Sequence, residues 1–197
     1  MTDTKLRVAI ADDDSKALRR LWKTLKVLGH YVVISVNDGK SLVKYCRKSP
    51  PDLIITDLNM PRMNGLAAVE EICRHVPTPV ILVSESLELD AHDPVLMKYV
   101  DALIPKSFTL ALLEPTIGLA MERFRVESSL RTEADALRDE LVGLEAVESA
   151  LLHISNLASV SRNEAYKRLV ALADEKDVSL PVAAAEILDT ADLIVQP

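Results

Sequence analysis

The sequence predicts an α/β domain built on a parallel sheet, followed by an all-helical segment. Three observations carry that expectation. Short apolar runs alternate with stretches of helical spacing from Leu6 to Lys106. The run Leu53-Ile-Ile-Thr-Asp57 shows almost no polar alternation, as expected of a strand covered on both faces. Beyond Thr109 the periodicity is helical throughout.

The first strand is Leu6–Ala11, stopped by the polar loop Asp12-Asp13-Asp14. Leu18, Leu21, Leu25 and Leu28 then recur at helical spacing, and Gly29 closes the segment. Tyr31–Val36 reads as a second strand, ended by the turn Asn37-Asp38-Gly39. A short helix carries Leu42, Val43 and Cys46 and ends at Pro50-Pro51. After the third strand, Leu53–Asp57, helical spacing returns at Leu66, Val69, Ile72 and Val76. Pro79–Val83 is a fourth strand. A polar, weakly periodic stretch leads to a fifth apolar segment, Ala102–Pro105, just before Lys106.

In the helical part, Ile117, Met121 and Phe124 form one apolar stripe, and Pro115 either opens that helix or kinks it. Leu130, Ala134, Leu137, Leu141 and Leu144 form a second stripe in alternating four- and three-residue steps. The phase slips between Phe124 and Leu130, as at a coiled-coil discontinuity. The second stripe has the spacing of a two-helix seam and is expected to pair two copies of the chain into a homodimer; a hairpin against the tail helices is the alternative. Three short helices are expected after it. The first covers Val147–Leu157. The second opens with the capping box Ser161-Arg-Asn-Glu164 and carries Ala165, Leu169 and Leu172. The third follows Ser179, with Pro181 in its first turn and Val182, Ile187 and Leu188 inside. The expected organisation is thus a domain over 1–122, a coiled-coil linker over 123–146 and a three-helix domain over 147–197.

Composition bounds the function classes. With 49% apolar and 27% charged residues in 197, the chain buries a core and is not disordered. It has no unbroken run of 18 apolar residues, and its first residues lack the apolar centre of a signal peptide. Cys46 and Cys73 have no metal-binding spacing. These features lead to the expectation of a reduced, cytoplasmic protein without a membrane span. Charge is uneven. Residues 131–197 hold 13 acids against 6 Lys and Arg, a net −7 that equals the charge of the whole chain. Residues 1–130 balance at 17 against 17.

The apparent strand ends carry unusual chemistry. Asp12 and Asp13 end the first strand, Asp57 the third and Ser84 the fourth, and Lys106 follows the fifth. A parallel sheet brings these groups to one edge, where ligand sites of such sheets lie. Clustered carboxylates stay ionised only beside a cation, and an oxygen-liganded Mg²⁺ suits them. A lysine and a hydroxyl nearby suit a phosphoryl group, which Asp57 is placed to accept by in-line attack.

Ile10-Ala-Asp12-Asp13-Asp14, Thr56-Asp57-Leu-Asn59-Met60-Pro61-Arg-Met-Asn-Gly65, Val83-Ser84 and Lys106 closely resemble receiver domains of two-component response regulators. The resemblance spans residues 5–120. It implies a flavodoxin-like fold with a five-stranded parallel sheet. It also implies a histidine kinase as phosphodonor and Asp57 as phosphoacceptor. Mg²⁺ would be held by Asp12, Asp13, Asp57 and the Asn59 carbonyl, and phosphate contacted by Ser84 and Lys106. Three positions depart from the family pattern. Glu85 stands where a small residue is usual, Leu103 replaces the switch aromatic, and Ser107 replaces the proline after the lysine. A carboxylate at Glu85 near a phosphoryl group costs about 1–4 kcal/mol at about 4 Å. The Lys106–Ser107 bond is expected to be trans, because a cis bond before a non-proline residue is costly.

Ala150-Leu151-Leu152-His153, Ser161-Arg-Asn-Glu-Ala165-Tyr166-Lys-Arg168-Leu169, Ala173 and Val182-Ala-Ala-Ala-Glu-Ile-Leu188 resemble an ANTAR domain. Domains of that family are three-helix modules that bind RNA in transcription antitermination. The resemblance implies RNA hairpins as ligands, contacted through Arg162, Tyr166, Lys167 and Arg168, with Lys176 as a further cation. The tail departs from the family at Ser149-Ala150 and Val170, and residues 147–197 hold 8 acids against 4 Lys and Arg. His153, alone on an apolar stretch, is expected to pack.

The sequence therefore reads as a response regulator controlling gene expression through RNA. The alternative is an atypical receiver scaffold whose tail binds protein. No nucleophile–base pair or cofactor loop is visible outside the acidic pocket, so a free-standing enzyme is not expected.

Overall fold

The computed structural model describes residues 5–85 and 93–195. The chain divides into two compact units between Ser128 and Ser129. The first unit holds strands β1 (Arg7–Ala11), β2 (Tyr31–Val36), β3 (Leu53–Asp57), β4 (Val80–Ser84) and β5 (Ala102–Pro105). They form one parallel sheet in the order β2-β1-β3-β4-β5. Between them run α1 (Ser15–Val27), α2 (Gly39–Cys46), α3 (Gly65–Cys73) and α4 (Pro94–Tyr99). The helix α5 (Leu110–Ala158) begins in the first unit and ends in the second.

Strand alternation explains why both sheet faces are apolar. Val8, Ile10, Leu53, Ile55, Ile81, Val83 and Ile104 point to one face, where Leu21 and Leu25 of α1 and Leu113, Ile117 and Ala120 of α5 meet them. Ala9, Ala11, Ile54, Val80 and Leu82 point to the other, against Leu42, Val43 and Cys46 of α2 and Ala68, Val69 and Ile72 of α3. Burial pushes the thiols of Cys46 and Cys73 up to about 12 and about 11, so both remain inert apolar packing groups.

Helix caps sit where the sequence has short polar side chains. Asp14, Asp38 and Asn64 accept from the backbone N–H groups of Lys16, Ser41 and Ala67 and so open α1, α2 and α3. The weakly periodic stretch before β5 contains a helix that periodicity did not reveal. Asp93 caps α4 and Pro94 occupies its first turn, while residues 86–92 lie outside the described residues.

Two expectations about the long helix are corrected. Pro115 does not start α5, which begins at Leu110 and holds the proline in its interior. The proline removes only an early hydrogen bond of the ladder, and burial of Leu113, Ile117 and Ala120 holds the turn in place. The segment 147–157 is not a separate helix but the end of α5. The helical ladder runs unbroken from the seam into this segment, through Gly143, which faces Pro181.

In the second unit, α6 (Arg162–Lys176) and α7 (Leu180–Val195) pack on the end of α5. Val147, Ala150 and Leu151 meet Ala165, Leu169 and Ala173 of α6 and Ala183 and Ala184 of α7. The capping box forms as expected: the Ser161 hydroxyl accepts from the Glu164 N–H. His153 is half-buried. By length and hydropathy α5 passes as long and apolar enough to cross a membrane. Near its end Val147, Ala150 and Leu151 are buried against α6 and α7, and its seam carries the spacing of helix pairing.

Asp101 links β4 to β5. Its carboxylate accepts from the Val80 N–H at 2.8 Å, and burial pushes its carboxyl up to about 6, with Glu127 adding to the rise and Val80 and Arg123 opposing it. The folded value lies above the unfolded one, so this contribution to stability is full below about pH 4 and is lost as pH rises through about 6. We expect wild-type stability to fall by about 1–3 kcal/mol over that window from this group. Asp101→Asn keeps the acceptor for Val80 and should remove the decline, as read by urea denaturation across pH.

Candidate functional site

The parallel order places the C-terminal ends of β1 and β3 side by side at the point where the chain reverses its direction of travel across the sheet. Asp12 follows β1 and Asp57 ends β3. Carboxylate oxygens of Asp12, Asp13 and Asp57 all lie within 4.8 Å of one another. Asp12 and Asp57 are buried, and Asp13 is exposed at the mouth.

Lys106 reaches this cluster from the loop after β5. Its ammonium is 3.1 Å from Asp57 Oδ2 and 3.5 Å from Asp12 Oδ1. Asp12 Oδ1 also accepts from the Asp14 N–H at 2.8 Å. Asp57 Oδ2 is buried and has no aligned hydrogen-bond donor among the described residues, so its contact with Lys106 is an ion pair rather than a hydrogen bond. Burial pushes the carboxyls of Asp12 and Asp57 up, and the neighbouring ammonium only partly opposes it. Burial also works against the charge on Lys106, but the two carboxylates outweigh it and hold its pKa above the usual lysine range. Three acids facing one lysine leave negative charge and an orphaned oxygen. That donor set fits a hard divalent cation.

Ser84 ends β4 and is buried, and its carbonyl accepts from the Lys106 N–H at 2.8 Å. Asn59 is exposed, two residues beyond Asp57 on the β3–α3 loop. Glu85 is exposed, and Leu103 is half-buried against the α2–α3 side of the core. No cis peptide occurs among the described residues, so the Lys106–Ser107 bond is trans, as the missing proline implied.

Sequence reasoning missed the side chains that hold these loops. Arg20 of α1 donates to the Lys106 carbonyl and lies over the Phe108 ring, 4.7 Å from its centroid. Phe108 is itself buried in the core, so the loop is anchored on both sides of Ser107. On the other side of the pocket, Arg62 takes a positive φ of 65° and pairs with Asp38, whose carboxylate is buried. Gly39 N–H donates to the Met63 carbonyl at 3.3 Å, joining the same two loops. Gly65 lies so close to β3 that a Cβ there would sit 2.1 Å from the Asp57 carbonyl. The only sequence signals were the glycines of Asn37-Asp38-Gly39 and Asn64-Gly65.

In the second unit the expected RNA contacts lie in or around α6. Tyr166 is 46% exposed, which removes it from the core. Arg162 pairs with Glu148, Arg168 with Glu164 at 3.7 Å, and Lys176 with Glu186. Lys167 is exposed and has no ion pair among the described residues.

A doubly wound parallel sheet with an acidic pocket and a lysine at its switch point defines the receiver class of signalling domains. The family model for the response regulator receiver domain matches residues 8–117, and the chain belongs to that family. The transcriptional regulatory protein PdtaR of Mycobacterium tuberculosis is 28% identical over 188 residues, covering 93% of this chain and 90% of that protein. A protein-glutamate methylesterase/protein-glutamine glutaminase of Photobacterium profundum is 30% identical, but over 64% of this chain and only 36% of its own length. Among solved structures, the N-terminal domain of a response regulator/sensory box/GGDEF protein from Carboxydothermus hydrogenoformans matches with a TM-score of 0.55 at 18% identity. It covers 62% of this chain and 98% of that one, a likeness of fold. Asp12, Asp13 and Asp57 form the kind of acidic cluster that receivers use for Mg²⁺.

Replacing Asp57 by Asn removes one of two buried carboxylates and leaves Lys106 paired with Asp12. In the absence of divalent cations, Asp57→Asn should therefore stabilise the protein by about 1–2 kcal/mol. Saturating Mg²⁺ should raise the melting temperature of wild type clearly more than that of the variant. Equal Mg²⁺ responses in thermal melts would separate the cluster from the metal.

Proposed function

We propose that the chain is a phosphorylation-controlled regulator of gene expression that acts on RNA. The observation that carries the receiver half is the ion pair of Lys106 with a buried, otherwise unsatisfied Asp57. In this reading a histidine kinase is the donor. The Asp57 carboxylate attacks phosphorus in line, an O–P bond forms as the N–P bond of phosphohistidine breaks, and an acyl phosphate results. Mg²⁺, held by Asp12, Asp13, Asp57 and the Asn59 carbonyl, supplies charge neutralisation when bound. Lys106 keeps its proton and offsets the incoming phosphoryl oxygens, and the Ser84 hydroxyl donates to one of them. Arg20 and Phe108 hold the Lys106 loop at the required distance in place of the proline that the family pattern has there.

The homology to PdtaR over nearly the whole chain and the ANTAR-like tail support RNA as the output ligand, with Arg162, Tyr166, Lys167 and Arg168 contacting a hairpin and favouring antitermination. The organisation in this reading is a receiver over 1–122, a linker over 123–146 and an RNA-binding domain over 147–197, working in the cytoplasm. Leu130, Leu137, Leu141 and Leu144 are all more than half exposed, so α6 and α7 leave the seam open for a second copy. Two tail modules on one dimer raise avidity for paired hairpins. One observation favours the second reading, a tail that binds protein: three of its four cations already pair with acids of the same unit.

Acetyl phosphate with Mg²⁺ should add one phosphoryl group to wild type and none to Asp57→Asn, as read by intact mass. An unmodified wild-type protein overturns the phosphorylation reading. In gel-shift titrations of a two-hairpin leader RNA, Lys167→Glu combined with Tyr166→Ala should weaken binding by about tenfold or more. Leu137→Asp should give a monomer in sedimentation equilibrium. An RNA affinity unmoved by the first variant would remove these tail residues from the RNA contact, and no detectable binding of the leader RNA would transfer the output to protein.

A further inference from the structure

The first unit is neutral overall, but its charge is not evenly spread. Between Ser15 and Asn37 the chain carries five Lys or Arg residues and no Asp or Glu, in a protein of net charge −7. This stretch is α1 and β2. Helical geometry sorts it: Leu21 and Leu25 are buried, Leu18 and Leu28 pack beside them, and Arg19, Trp22, Lys23 and Lys26 fall on the outward face, all exposed. Among the described residues none of Arg19, Lys23 and Lys26 takes part in an ion pair. The tail cations, by contrast, are mostly paired.

Two aromatic rings stand among these cations. Trp22 is the one tryptophan of the chain and is 42% exposed. Tyr31, the first residue of the edge strand β2, is 56% exposed. Lys26 Nζ lies 5.1 Å from the Trp22 ring centroid, and Lys5 Nζ lies 5.9 Å from that of Tyr31. Together with His30 and Val32 these four residues line a groove of about 310 Å³. The groove lies at the N-terminal ends of β1 and β2, whereas the acidic pocket lies at the C-terminal strand ends, so phosphoryl chemistry does not explain it.

We propose that this face is a second RNA-binding surface, taking unpaired nucleotides. Arg19, Lys23, Lys26 and Lys5 would meet the phosphates, and Trp22 and Tyr31 would stack on bases. Cations beside exposed rings are the composition that single-stranded nucleic acid selects, because every base offers a face to stack and every nucleotide a phosphate. An acidic peptide would satisfy the lysines but leave both rings without a flat partner. The negative end of the α1 dipole lies at this groove and opposes an anion there, but four full positive charges exceed its half charge. The choice of RNA over DNA rests on the RNA reading proposed above; the cation–ring surface itself does not. Flexible single strands flanking a hairpin are the natural ligand, and they add affinity that the acidic tail lacks.

Trp22 makes the proposal directly measurable, since its fluorescence is the protein's only tryptophan signal. The full chain is titrated with oligouridylate, with oligothymidylate of equal length, with inorganic polyphosphate and with polyglutamate. Saturable quenching by oligouridylate, weakening as salt rises, is expected. Tyr31→Ala should weaken it by about tenfold, Tyr31→Phe should leave it near wild type, and Lys23→Glu with Lys26→Glu should weaken it further. Thermal melts of each variant report whether it is folded, and the Tyr31→Phe protein, which keeps the ring, controls for loss of the hydroxyl. No saturable quenching by oligouridylate overturns the proposal. Equal quenching by polyphosphate reduces the face to charge alone and also overturns it, equal binding of oligothymidylate overturns the assignment to RNA, and a response to polyglutamate only points to a protein partner. Failure of the tail is separable. If the leader hairpin binds with no dependence on Tyr166 and Lys167 while oligouridylate still quenches Trp22, the tail reading fails and this one stands.

Discussion

Two buried carboxylates facing one lysine are the constraint on which the rest of the first unit depends. Asp12 and Asp57 come from neighbouring central strands, and their separation is set by the β1–β3 pairing, which also aligns Ala11 with Thr56. Lys106 comes from β5, and the pairing of β5 with β4 aligns Pro105 with Ser84. The sheet is therefore a ruler for the pocket. Burial raises the pKa of both acids, and Lys106 opposes that rise without fully compensating it. The unsatisfied Asp57 oxygen is kept in place by a core that is apolar on both faces of the sheet, as is usual where stability and function conflict.

Loops carry the pocket, and each loop is tied to something rigid. On one side Arg20 joins the Lys106 loop to α1 through a carbonyl and an aromatic ring. On the other, Arg62, Asp38 and Gly39 join the β3–α3 loop to the start of α2. Gly65 lets α3 start against the backbone of Asp57, an approach that no side chain permits. α1 thus has three faces with three tasks: leucines toward the core, Arg20 toward the pocket, and Arg19, Trp22 and Lys26 toward solvent.

The two units manage charge differently. The second is acidic, and Arg162, Arg168 and Lys176 pair with neighbouring glutamates, so its long-range field repels a polyanion. The first is balanced in total but concentrates positive charge on α1 and negative charge in the pocket. Summed charge over 1–130 hid that separation, because equal numbers cancel whatever their placement.

Most of the fold was legible in the order of residues, because a period of two or of 3.6 survives without any knowledge of partners. The strands, the capping box at Ser161 and the leucines of α1 follow from such local rules. The short helix α4 was missed because six residues show too little of the helical period. The break before Val147 was wrongly expected because polar residues between apolar stripes look alike in a loop and on an exposed helix. For the pocket, residue types at strand ends pointed to Asp12, Asp13, Asp57 and Lys106, which the fold brings together, since chemistry of that kind is carried by identity. Only the folded chain decided that Asp57 Oδ2 is left without a donor, that Arg20 anchors the Lys106 loop, and that Lys5 and Tyr31 join Trp22 and Lys26 in one groove. Those facts are distances between groups far apart along the chain, and such distances are set by tertiary packing rather than by local propensity.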